Sequence, residues 1–219
     1  MSASSRFFTL LFLILFRQIG QAQITDDFSD GNFTSNPAWQ GDAANFVVSA
    51  GKLQLMAPTP GTSVLAVSGT IPDSAVWLFD IRLNFAPSTQ NQLRVYLLAD
   101  QSGLLAGNAY YLEIGETGAQ DALRFFRQDG PANTLLATGT LALVAQPFDI
   151  QIRMRRSKAG DWSLDAGPVG SSMIPQFTVA DATYPGGDNL FFGVYCKYTS
   201  TNQDKFYFDN LSVLPDVPD

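Results

Sequence analysis

The chain contains no histidine and a single cysteine among its 219 residues. The first absence excludes Ser-His-Asp and Cys-His catalysis and the usual zinc sites, all of which need imidazole. The second excludes an intrachain disulfide framework, so Cys196 reads as a small core residue. Glutamate is nearly absent as well, with Glu113 and Glu116 alone. Three residues apart on a strand, they point to opposite faces, which does not suit a glycosidase carboxylate pair. Positive charge is scarce too: 13 Lys and Arg stand against 20 Asp and Glu, which leaves no basic footprint for nucleic acid.

Long apolar runs are limited to one, Phe7–Phe16, which is too short to span a bilayer. Arg6 precedes it, Arg17 closes it, and Gly20 and Ala22 place small residues at −3 and −1 of a cut before Gln23. Residues 1–22 therefore read as a secretory signal peptide, and the protein as secreted or placed at the cell surface. Loss of Arg6 and Arg17 leaves 11 basic against 20 acidic residues, net −9. After cleavage no transmembrane segment is expected.

What is abundant is aromatic residues, 17 Phe, 7 Tyr and 3 Trp, and alternation of period two. Trp77, Phe79, Ile81, Leu83 and Phe85 share one face of a strand, while Asp80, Arg82 and Asn84 take the other. Phe148–Arg156 repeats the pattern, as a sheet with one buried and one wet face requires. About ten shorter strands follow from Phe46 to Leu214, with Ala50-Gly51, Asp129-Gly130 and Ala159-Gly160 as hairpin turns. The expected fold is all-β, a two-sheet antiparallel sandwich of the jelly-roll type, over residues 23–214. The tail 215–219, rich in Pro and Asp, reads as the start of a linker.

Two sets of residues are candidates for function. Asp27 and Asp30 lie in an acidic run, Asp26–Asn32, and Asp209 lies on the last strand. Calcium takes six to eight oxygens, so these three could hold a structural Ca²⁺; the same acids equally suit Asx turns and an edge cap. On the last strand Phe206 and Phe208 share a face while Leu211 and Val213 fall out of phase, which predicts a β-bulge that re-aims a side chain. Among the aromatics, Trp39 and Tyr184 stand in loop-like surroundings and are candidates for stacking on a ligand, with core packing as the alternative.

The segments Asp26–Phe33, Pro37–Asp42, Arg94–Leu97, Phe125–Gly130 and Phe192–Ser200 together resemble a laminin-G-like, concanavalin A-like module. It looks like the version found at the N-terminus of secreted and cell-surface Bacteroidota proteins, often ahead of a lamin-tail domain. The resemblance covers Thr25–Leu214. It implies a jelly roll whose first and last segments pair, bringing Asp27 or Asp30 near Asp209. It also implies a role without catalysis, in adhesion or in binding a glycan or a surface protein. No lamin-tail segment follows Val213 here, which leaves anchoring open. The rival readings are a polysaccharide hydrolase of the same fold and a purely structural spacer.

Overall fold

Alternation in the segment Trp77–Leu83 becomes the middle of a sheet: Trp77, Phe79, Ile81 and Leu83 are buried, and Arg82 on the other face is exposed. The computed structural model describes residues 24–118 and 120–216, so the expected leader lies outside the described residues, as do residues 217–219 of the expected linker.

With strands numbered in chain order, the first sheet runs β13 (Ile174–Ala180), β12 (Asp161–Pro168), β11 (Phe148–Arg156), β6 (Ala75–Leu83), β15 (Phe206–Pro215), β4 (Lys52–Leu55) and β3 (Phe46–Ser49). A short β1 (Ile24–Asp26) lies beside the second half of β15. The second sheet runs β10 (Ala132–Thr138), β9 (Arg124–Asp129), β8 (Asn108–Ile114), β7 (Gln92–Ala99), β14 (Gly187–Tyr198), β5 (Gly61–Ile71) and β2 (Gln40–Gly41). Every pairing is antiparallel, and the fold is all-β, a two-sheet sandwich as expected.

The core lies between the sheets and is dense in aromatic rings. Trp77 of β6 stacks on Trp162 of β12 with centroids 5.3 Å apart. Its indole N–H crosses the core to donate to the Leu97 carbonyl of β7 at 2.8 Å, so the buried ring leaves no donor unpaired. Cys196 is fully buried in the same core, and burial pushes its thiol well above the ordinary value.

Three features departed from the pattern. The strand β13 was not expected, because Pro175 and its mixed polarity break the alternation; it sits at a sheet edge, where proline is tolerated. The last strand runs one residue past Leu214, with Pro215 opposite Ala75. The two glutamates were expected to point apart, yet both reach Arg124. Gly115, at φ 109°, turns the chain between them, and a Cβ there would stand 2.7 Å from the Ser88 carbonyl oxygen.

The expected bulge in β15 is present and places the site. Asp209 pairs with Asp80 and Ser212 with Leu78, so Asn210 and Leu211 together oppose Phe79. Asn210 adopts φ 51°, a left-handed conformation that asparagine tolerates better than most residues. The extra residue returns Leu211 and Val213 to the core beside Phe206 and Phe208. It also divides the neighbours of β15: β4 pairs with Tyr207 and Phe208, and β1 with Leu211–Val213. The first and last strands therefore pair, as the resemblance implied.

Candidate functional site

Where β15 bulges, the outer face of the first sheet carries a cavity of about 640 Å³. Asp26 enters it from the end of β1, Asp27 and Asp30 from the segment that follows, Asp80 from β6, and Asn210 from the bulge. Leu78 and Met173 supply apolar wall. Gln151 lines it too, and its amide donates to the Ser171 carbonyl, tying down the loop that carries Met173.

A run of side-chain-capped turns shapes the acidic wall. Asp26 Oδ1 accepts the Phe28 N–H at 2.9 Å, and Asp27 Oδ1 accepts the Ser29 N–H at 3.0 Å and its hydroxyl at 2.7 Å. Asp30 accepts the Asn32 N–H at 3.0 Å and its side-chain amide at 2.6 Å. Aspartate closing a turn two residues on is the local chemistry this segment was also expected to show. Phe28, at φ 54°, drops its ring fully into the core and anchors the loop.

The carboxylates differ in their electrostatics. Asp26 lies above the usual range, chiefly through burial, against the lowering bonds from Phe28 and the Trp39 indole; the charges of Asp30 and Asp27 push it the same way. Asp80 is also raised, first by burial, with Asp209 and Asp149 adding to it and Asn210 and Lys52 opposing it. Asp27 is lowered by its bonds from Ser29. Asp80 Oδ2 accepts the Asn210 amide at 2.8 Å, which leaves its Oδ1 open toward the cavity among the described residues. The second oxygen of Asp27 is likewise open.

The calcium trio is not brought together. Asp27 and Asp30 line the cavity, but Asp209 does not: it forms an ion pair with Lys52 and caps the Asn210 N–H at 2.9 Å. A lysine ammonium already satisfies the charge a cation would neutralise there, and Asp30 spends both oxygens on Asn32. Among the described residues no three His, Cys, Asp or Glu side chains are grouped to hold a metal, so the donor set does not fit Ca²⁺ as expected.

Of the two readings open for the aromatic candidates, the structure shows packing for both. Trp39 is 4% exposed, packed between Phe28 and Phe192 at 6.2 and 6.1 Å, and its indole donates to Asp26 Oδ2 at 2.8 Å. Lying next to β2, it turns its ring into the sandwich, so it supports the acidic wall from beneath rather than offering a stacking face. Tyr184 clamps its own loop. Its hydroxyl donates to Asp129 and lies 3.2 Å from Asn108 Oδ1, its N–H donates to the Tyr110 hydroxyl at 3.2 Å, and its carbonyl accepts Arg156 at 2.7 Å. Desolvation and the Asp129 carboxylate push its phenol up to about 12. It does not line the cavity.

A second polar surface lies on the outer face of the second sheet. There the Arg94 guanidinium covers the rings of Tyr111 at 4.7 Å and Tyr195 at 5.6 Å. Glu113 accepts from Arg94 at 2.9 Å and from Arg124 at 3.0 Å, and Glu116 from Arg124 at 2.8 Å. These groups close on one another: Tyr111 is 1% exposed and Glu113 5%.

Asp80, Asp26 and Asn210 are the site residues that the sequence did not single out. The phase slip marked a bulge in the last strand, but only the register of β15 on β6 places Asp80 beside it.

The two-sheet sandwich is similar to that of solved carbohydrate-binding domains. A carbohydrate-binding module, CBM66 from Bacillus subtilis, superposes with a TM-score of 0.55 at 12% identity, over 81% of this chain and 96% of its own. The carbohydrate recognition domain of Emp46p, in a potassium-bound form, gives 0.61 at 12% identity, over 88% and 94%. The lumenal domain of VIP36, bound to Ca²⁺ and Man3GlcNAc, gives 0.57 at 12% identity, over 83% and 84%. No family model and no curated protein sequence matches the chain.

Proposed function

We propose that this protein is a non-catalytic carbohydrate-binding module, exported by its leader, and that the cavity at the β15 bulge holds the sugar. The observation that carries the reading is the cavity itself. At about 640 Å³ it falls within the range of ligand sites, and it sets open carboxylate oxygens and an amide against an apolar wall. Sugar hydroxyls donate to such acceptors, while a ring's C–H face lies on surfaces like Leu78 and Met173. The carbohydrate-binding domains of the same fold support this choice of ligand class over a protein partner.

The non-catalytic part is supported by the state of Glu113 and Glu116. Arg124 holds both as ion pairs, so neither is poised to act as a general acid. Calcium is left out of the reading because Lys52 occupies Asp209. No helix among the described residues is long and apolar enough to cross a membrane.

A glycan array probed with the wild type and with Asp80→Asn tests the proposal. Binding by the wild type that falls at least tenfold in the variant is expected. A blank array for the wild type would favour the spacer reading.

A further inference from the structure

We propose that the cavity prefers sugars bearing a free, protonated amine over neutral sugars and rejects acidic ones. This rests on the reading of the cavity as the sugar site and goes on to name the class of sugar.

The lining is strongly one-sided. Asp26, Asp27, Asp30 and Asp80 all face the cavity, and no lysine or arginine is among its lining residues. Of the cations beside it, Lys52 is paired with Asp209, and Arg82 lies over the Tyr207 ring and donates to Asn84. Two further carboxylates outside the lining, Asp209 and Asp149, act on Asp80, while within the lining Asp27 and Asp30 act on Asp26. Lys52 offsets part of this at Asp80, and no cation lines the cavity itself. A concave surface with apolar walls focuses such a field, because part of its surroundings is low-dielectric.

The open acceptors also suit the donors of an amine. An ammonium group carries three donors and accepts nothing, and it meets open oxygens on Asp80 and Asp27. These would be charge-assisted hydrogen bonds, stronger than those a neutral hydroxyl makes. An N-acetylated sugar loses that charge. A uronate or sulfated sugar adds an anion to four others with no cation to receive it. Leu78 and Met173 remain available for the ring of any of them, which is why charge, rather than shape, decides among otherwise similar sugars.

The test is calorimetric titration of the full chain, in EDTA, with three tetramers: glucosamine, N-acetylglucosamine and galacturonate. The glucosamine tetramer should bind at least tenfold tighter than the N-acetylated one, a difference of about 1.4 kcal/mol. The galacturonate tetramer should not bind. The preference should weaken with added salt and vanish in Asp80→Asn. Asp27→Asn, on an exposed turn that keeps its acceptor for Ser29, should reduce it as well and guards against misfolding of the first variant. Equal or tighter binding of the N-acetylated tetramer would overturn the inference and leave the carbohydrate reading intact. Binding that appears only with added Ca²⁺ would overturn it too, since the carboxylates would then serve the metal. Failure of every sugar here and on the array would overturn both.

Discussion

The amide of Asn210 donates to Asp80 Oδ2 at 2.8 Å across the bulge of β15. One residue supplies the backbone shape of the bulge, and the other, in regular register on β6, the carboxylate beside it. The bond fixes one oxygen of Asp80 and leaves the other to the cavity.

Separating the two roles of Asn210 is therefore possible. Asn210→Ala keeps φ positive without the amide and should destabilise the protein by about 1 kcal/mol in urea unfolding. Asn210→Gly accepts the same φ with little strain and should be nearly neutral in stability, while still weakening sugar binding. Equal destabilisation by both would mean the hydrogen bond, not the backbone, holds the bulge.

Trp39 supports the wall from within. Removing its N–H in Trp39→Phe leaves the partly buried Asp26 Oδ2 without its donor, at a cost of about 1–3 kcal/mol. The same change should raise Asp26 further above the usual carboxylate range, measurable by NMR titration. An unchanged titration would show that the indole does not hold this carboxylate.

Tyr184 and the cavity are separate in the structure, so Tyr184→Phe should lower the melting temperature and leave sugar affinity unchanged. The lost hydroxyl is the main cause that lowers Asp129, so the Asp129 titration should move up in the variant. A loss of binding with stability intact would place the ligand on the 181–187 loop instead.

Stability against pH has two opposing contributions. Asp26 and Asp80 are raised in the folded protein, so each opposes folding while ionised, and that opposition is relieved as pH falls through the raised values. Asp27 and Asp129 are lowered, so their contribution is present above the ordinary Asp value and lost as pH falls through the lowered ones. Asp80→Asn should therefore be more stable than wild type at pH 7, and the gap should close on acidification. A gap that is constant with pH would remove Asp80 from this account.

The alternation of Trp77–Leu83 and Phe148–Arg156 was enough to read the sandwich, because each strand carries its own burial pattern. The phase slip between Phe208 and Leu211 even located the bulge. The site was less legible for a physical reason: it is assembled from strands distant in sequence. Asp80 looks like any outward-facing residue until β15 is laid beside β6. Asp209 looked like a ligand until Lys52 of β4 was placed against it. Trp39 stayed open between stacking and packing because its loop context does not reveal which way the ring turns beside β2.

Calorimetric titration of one array-positive sugar into wild type, Asp80→Asn and Tyr195→Ala tests the central claim most directly. The cavity reading predicts that Asp80→Asn loses at least tenfold in affinity while Tyr195→Ala, on the opposite sheet, binds as the wild type does. Full affinity in Asp80→Asn together with loss in Tyr195→Ala would contradict it and move the sugar to the outer face of the second sheet.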